Sequence, residues 1–195
     1  MKNLITTICF ALLLIGCKEQ TNKEEQQHQH QDVKVEKEGT TPKKPLSPHT
    51  STMAMIGDAH IHIDYSSPGV RGRIIFGGLL AYDQVWQAGA HMATWIETNK
   101  DLEIDGKVLP SGKYGIFTIP SKDEWTVMIN KKWDQHGKDE YDEKDDVIRF
   151  NVKPITLEES IEHLAYQVNK IDDQNGSISL AWEKVKIEFP FTIKQ

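Results

Sequence analysis

The sequence predicts an all-β domain, a single antiparallel β-sandwich or open barrel of about eight to ten strands, preceded by a signal peptide and a disordered tether. Three observations predict it. Apolar and polar residues alternate with period two from about Ser51 onward. Turn-forming pairs interrupt the alternation at short intervals. No long stretch carries the helical period.

The elements follow in order. Lys2 gives a positive start and Leu4 to Ile15 an apolar run, which is shorter than the roughly 20 residues of a spanning helix. Leu14-Ile15-Gly16-Cys17 then reads as a lipobox, where a bacterial lipoprotein is cut and its cysteine lipidated. An ordinary cleaved signal with a chance cysteine is the alternative. The expected divisions are 1–16, signal peptide; 17–50, lipidated Cys17 and a disordered polar linker; and 51–195, the β-domain. Of the 2 cysteines, Cys9 leaves with the signal and Cys17 carries lipid, so no disulfide supports the fold. The linker has almost no large apolar residue to bury. His28 and His30 lie in its Gln-rich part and read as spacer, with metal capture as the rival reading.

A formal net charge of -6 argues against a nucleic-acid partner and against a polybasic membrane patch. Membrane attachment therefore falls to the lipid on Cys17.

In the domain, Ile61, Ile63 and Tyr65 alternate with His60, His62 and Asp64. Further alternating runs begin at Trp125, Ile148, Leu164, Ile178 and Val185. Asp105-Gly106 and Asn175-Gly176 suit tight hairpins, because these residues accept positive φ. Leu157 to Ala165 is the best helical candidate, with a loop leading into a strand as the alternative.

Residues two apart on a strand share a face, so a core-facing Ile61, Ile63 and Tyr65 put His60, His62 and Asp64 together on the other face. Two imidazoles and a carboxylate form a partial shell for Zn, Cu or Fe. A solvated face with ordinary histidines is the competing reading. His91 follows small residues in Ala88-Gly89-Ala90, and His136 sits in a loop after the Trp125 strand. If both loops reach the strand face, His60, His62, His91 and His136 form one metal site, with Zn or Cu as the expected ion. His49, Met53 and Met55 read as linker and first core contacts, although Met with His is compatible with copper. His163 reads as surface. Arg71 and Arg73 could fork around an anion or lock a loop, the latter being the simpler role. Asp139 to Asp146 lacks the order of a calcium loop and reads as a solvated hairpin tip. Gly-x-Ser-x-Gly, a phosphate-binding glycine loop, Cys-x-x-Cys and His-Glu-x-x-His are all missing from the sequence.

The ordered motifs Asp64-Tyr65-Ser66-Ser67-Pro68, Val70 to Gly78, Val85-Trp86-Gln87-Ala88-Gly89-Ala90-His91, Leu109 to Pro120 and Glu124-Trp125-Thr126-Val127 resemble those of a family of exported bacterial proteins, the domain-of-unknown-function family 2911. The resemblance covers nearly the whole domain and implies a β-rich single domain, with no reaction attached. The chain departs from the family's commoner pattern, with Ser67 and Gln87 where many members have arginine and His91 where they have asparagine. Two fewer cations and one more imidazole favour a metal over an anion. His62, His91 and His136 together look like one branch of the family. A cupin is disfavoured because Lys113-Tyr114-Gly115 follows Pro110-Ser111-Gly112 without a histidine. A His-x-His hydrolase on a (β/α)8 barrel is excluded by length.

These readings lead to one expectation and two rivals. The expectation is a lipid-anchored envelope module binding a metal or small ligand through the histidine face, with Asp64, Arg71 and Arg73 as candidate ligand contacts. The rivals are a metal-dependent enzyme using the same histidines and a structural or adaptor lipoprotein. Because Lys18 rather than an aspartate follows Cys17, resemblance to sorted lipoproteins favours the outer membrane.

Overall fold

The structure is a computed structural model that describes residues 45–194. The expected signal peptide, Cys17, most of the expected linker, and with them His28 and His30, lie outside the described residues. The chain divides into units Met1–Thr41 and Pro42–Gln195, and the second is the domain.

Period-two alternation becomes strands β1 (His49–Ile56), β2 (Ala59–Ser66), β3 (Thr94–Thr98), β4 (Leu102–Ile104), β5 (Lys107–Leu109), β6 (Gly112–Ile119), β7 (Trp125–Asn130), β8 (Asp146–Val152), β9 (Ile155–Lys170) and β10 (Asn175–Ile193). One sheet runs β1-β2-β3-β6-β7-β8 and the other β5-β4-β10-β9, every pairing antiparallel. This is the expected β-sandwich, with no α-helix among the described residues.

Four local expectations change. Leu157 to Ala165, the helical candidate, lies within β9, where Leu164 and Tyr166 are buried and Gln167 is exposed, the period of a strand. The runs at Ile178 and Val185 are one strand, bent by irregular pairing around Glu183, which takes φ 55°. A bulge of this kind bends a strand while keeping its pairing. Asn175-Gly176 opens β10 rather than forming the turn. The turn is held by Asp172, whose carboxylate accepts from the backbone of Gln174 and Asn175. Asp105-Gly106 does form the expected hairpin, both residues at positive φ between Ile104 and Lys107. The first strand begins at His49, so His49, Met53 and Met55 belong to the sheet and not to a leading linker.

The core lies between the sheets. Ile61, Ile63 and Ile96 from the larger sheet meet Leu180, Trp182 and Ile187 from the smaller one. The connection between β2 and β3 sends Phe76 and Trp86 inward, where Trp86 stacks on Trp182 at 5.8 Å and Phe76 meets Trp125 edge-on at 4.9 Å. Aromatic pairs in such arrangements add roughly 0.5–1.5 kcal/mol beyond the area they bury.

A smaller apolar cluster of Ala93, Phe117 and Met128 lies on the opposite face of β6 and β7, packed with Val85, Ile119 and Tyr141. The loops before β3 and after β7 therefore cover that half of the larger sheet. Gly115 on β6 makes this possible. A Cβ there would stand 2.8 Å from the Phe117 ring, 3.1 Å from the Lys132 carbonyl oxygen and 3.3 Å from the Trp133 Cα.

Gly115→Ala is expected to destabilise the domain by about 1–3 kcal/mol through overpacking and to displace Trp133. A thermal melt lowered by several degrees, with altered tryptophan emission, is the outcome to look for. An unchanged melt would contradict the close approach.

Candidate functional site

The outer face of the larger sheet has two unlike halves. Over β6 and β7 it is roofed by the segment 131–145, a cover fixed by specific bonds. Asn130 donates from Nδ2 to the Asp142 carbonyl and to the Asp146 carboxylate. Gln135, buried, donates to the Lys132 carbonyl and accepts from the Glu140 backbone. Tyr141 donates to Asp146 at 3.0 Å and accepts from Arg149 at 2.9 Å. Burial, and then the Asp146 carboxylate, push the Tyr141 hydroxyl up to about 12. The acidic run thus caps the roof and pairs with Arg149, which also reaches Glu143 at 3.2 Å.

Over β1, β2 and β3 the same face is open. Register sets Ser51 opposite Asp64, Met53 opposite His62 and Met55 opposite His60. On the other side of β2, His62 is opposite Glu97 and Asp64 opposite Trp95. The buried Ile61, Ile63 and Tyr65 confirm that His60, His62 and Asp64 point away from the core. The His60 and His62 rings stand 6.1 Å apart between centroids, and His62 meets Trp95 edge-on at 5.0 Å. His62 Nε2 is covered and has no hydrogen-bond partner among the described residues. A buried polar atom left so costs about 1–3 kcal/mol.

Trp95 and Trp133 both pack against Lys113, whose Nζ lies 3.4 Å and 3.9 Å from the two ring centroids. Beside them is a cleft of about 240 Å³ lined by His49, Asp64, Met92, Trp95, Trp133 and Asp134. Asp64 accepts from His49 Nε2 at 2.8 Å across the mouth.

The histidines named from sequence fall into two groups. His60 and His62 are neighbours on β2. His91 and His136 are on touching loops, where the Gly137 N–H donates to the His91 carbonyl at 2.7 Å, and both side chains are exposed. His136 Nδ1 stands 3.4 Å from Asp139. Among the described residues, no three His, Cys, Asp or Glu side chains are grouped to hold a metal ion, so the expected four-imidazole centre is not assembled. The loop bearing His91 is anchored to the core through its backbone carbonyls. Tyr166, fully buried and with its hydroxyl held well above the ordinary tyrosine range by that burial, donates to the Ala88 carbonyl at 2.8 Å. Trp86 Nε1 donates to the Gly89 carbonyl.

Arg73 locks its own loop, donating to the carbonyls of Val70 and Gly69, and has the structural role. The Arg71 side chain is exposed beside that loop, away from the residues lining the cleft. His163 is exposed, bridged through its backbone to Gly69. Sequence reasoning missed Trp95, Trp133, Lys113 and the pairing of His49 with Asp64. Trp95 had a signal, since it alternates outward beside the inward Ile96. Trp133 had none, because only Gly115 on a different strand admits it.

The domain is therefore a two-sheet β-sandwich with one half-roofed face, and the open half bears imidazoles. The chain belongs to the family described as protein of unknown function (DUF2911), whose model matches residues 47–191. No curated protein and no solved structure matches the chain.

Tyr141→Phe is expected to loosen the roof at neutral pH by about 1–3 kcal/mol, the cost of leaving Asp146 and Arg149 without that hydroxyl. In the native protein the raised Tyr141 ionisation contributes stability that is full below pH 10 and is lost as pH rises through about 12. Denaturant titrations across that window check both points. The variant is expected to lose less stability than the native protein over the alkaline range.

Proposed function

We propose that the chain is a lipid-anchored cell-envelope module that binds a transition-metal ion on the open half of the larger sheet, through His60 and His62, without transforming it. One observation carries the reading. Two imidazoles share an outward face at a separation of 6.1 Å, and one of them has an unsatisfied, covered Nε2. Two imidazoles bound to one ion have centroids no more than roughly 6.4 Å apart, given N–metal bonds of about 2.0–2.1 Å. Zn and Cu are the ions such nitrogen ligands suit. Asp64, whose carboxylate accepts from His49, stands on the same face beside the two imidazoles.

Anchoring rests on the lipobox at Cys17, and the outer membrane on Lys18 after it. Cys17→Ser is expected to move the protein from the membrane fraction to the soluble one and to abolish incorporation of labelled palmitate. A variant that stays membrane-bound would remove the anchor from the proposal.

Binding is tested by titrating the full-length chain with Zn(II) and with Cu(I) while following tryptophan emission, which the edge contact of His62 with Trp95 couples to the site. The expected result is saturable quenching that His60→Ala/His62→Ala abolishes. Equal quenching in that variant, or none in either protein, would count against the metal reading. The cleft beside Asp64 favours a second reading, a small polar ligand held by Asp64, Asp134 and the two indoles. Asp134→Asn would weaken such a ligand and leave metal binding unchanged.

A further inference from the structure

Two imidazoles are half of a closed shell, and the register of β1 on β2 places two thioethers beside them. Met53 lies directly opposite His62, and Met55 directly opposite His60. Directly opposed residues of an antiparallel pair have Cβ atoms about 4.5–5.5 Å apart. Residues two apart on one strand are separated by about 6.6–6.8 Å. The four side chains therefore stand at the corners of a small rectangle on one face. A methionine sulfur lies two bonds beyond its Cβ and an imidazole nitrogen at least two, so all four arms can close over the centre.

The methionines have no packing reason to be there. Met53 is 59% exposed and Met55 56%. Their neighbours on the same face of β1, Ser51 and His49, are polar, as a wet strand face requires. Ala54 and Ile56 turn the other way, toward the core. Two flexible sulfur side chains in water, each aligned with an imidazole, are what a soft-metal site needs and a solvated sheet does not.

We infer that Met53, Met55, His60 and His62 form a Cu(I) site; this rests on the metal-binding reading of the histidine face and names the ion. The chemistry selects it. Thioethers are soft ligands that suit Cu(I), whereas tight zinc sites draw on thiolate, imidazole or carboxylate. All four ligands are neutral. A monocation on such a set needs less compensation than a dication, and Glu97, opposite His62 on the β3 side, supplies one carboxylate nearby. Coordination would also give His62 Nε2 the partner it lacks.

The test uses the full-length chain, Cu(I) supplied without oxygen, and competition against a chromophoric Cu(I) chelator, with Zn(II) measured in parallel. The expected result is one Cu(I) per chain, X-ray absorption showing both sulfur and nitrogen neighbours, and weaker Zn(II) binding. Met53→Leu/Met55→Leu keeps volume at two exposed positions, so the fold should be retained. It is expected to lower Cu(I) affinity by about 100-fold or more, since a lost ligand costs no less than a lost outer partner, and to leave Zn(II) binding unchanged. His60→Ala/His62→Ala is expected to abolish both. Undiminished Cu(I) affinity in the leucine variant, or a shell of nitrogen and oxygen alone, overturns the Cu(I) assignment while the metal-binding reading stands. Failure of the wild-type chain to hold either metal overturns both.

Discussion

The rest of the domain depends on the aromatic packing between its two sheets. Trp182 on β10 and Trp125 on β7 face each other across the interior, and Phe76 and Trp86 from the long β2–β3 connection fill the space between them. This connection has little regular structure, and it is held because it buries two large rings and because Trp86 bonds back to Thr118 through its backbone. It runs on into the loop that carries His91 and covers part of the outer face. Core packing on one side of the larger sheet thus decides what is covered on the other.

That asymmetry divides the outer face of the larger sheet into two unlike halves. Phe117 and Met128 point outward and would be wet on an ordinary sandwich, but they are buried under the roof. The roof stops at Trp133, whose indole closes over Lys113 and leaves β1, β2 and the near side of β3 uncovered. The open half is not apolar. It carries His60, His62, Asp64 and Glu97, with Met55 opposite His60 and Met53 opposite His62.

Much of the sandwich was legible in the sequence because period two is a local signal. The alternation of Ile61, Ile63 and Tyr65 with His60, His62 and Asp64 gave both the strand and its two faces. What depended on long-range geometry was not legible. Leu157 to Ala165 carries apolar residues at spacings a helix also uses, and pairing with β10 decided the matter. Met53 and Met55 read as linker and first core contacts because β1 is a polar strand with little hydrophobic contrast, and its identity comes from its partner β2. The loops bearing His91 and His136 do meet, and they reach the Asp64 end of β2, but nothing in the local sequence says that they leave these two imidazoles apart from His60 and His62.

The pairing of sheet edges has a consequence for how the protein behaves in a crowd. An exposed edge strand is a template for other chains. Here β1, at one edge of the larger sheet, lies against β9 of the smaller one, and β8, at the other edge, lies against β5. Each terminal strand of the larger sheet thus has the other sheet alongside it, and the sandwich approaches a closed barrel. A domain whose described residues include no cysteine, and so no disulfide, is thereby shielded from strand-by-strand polymerisation by its own architecture.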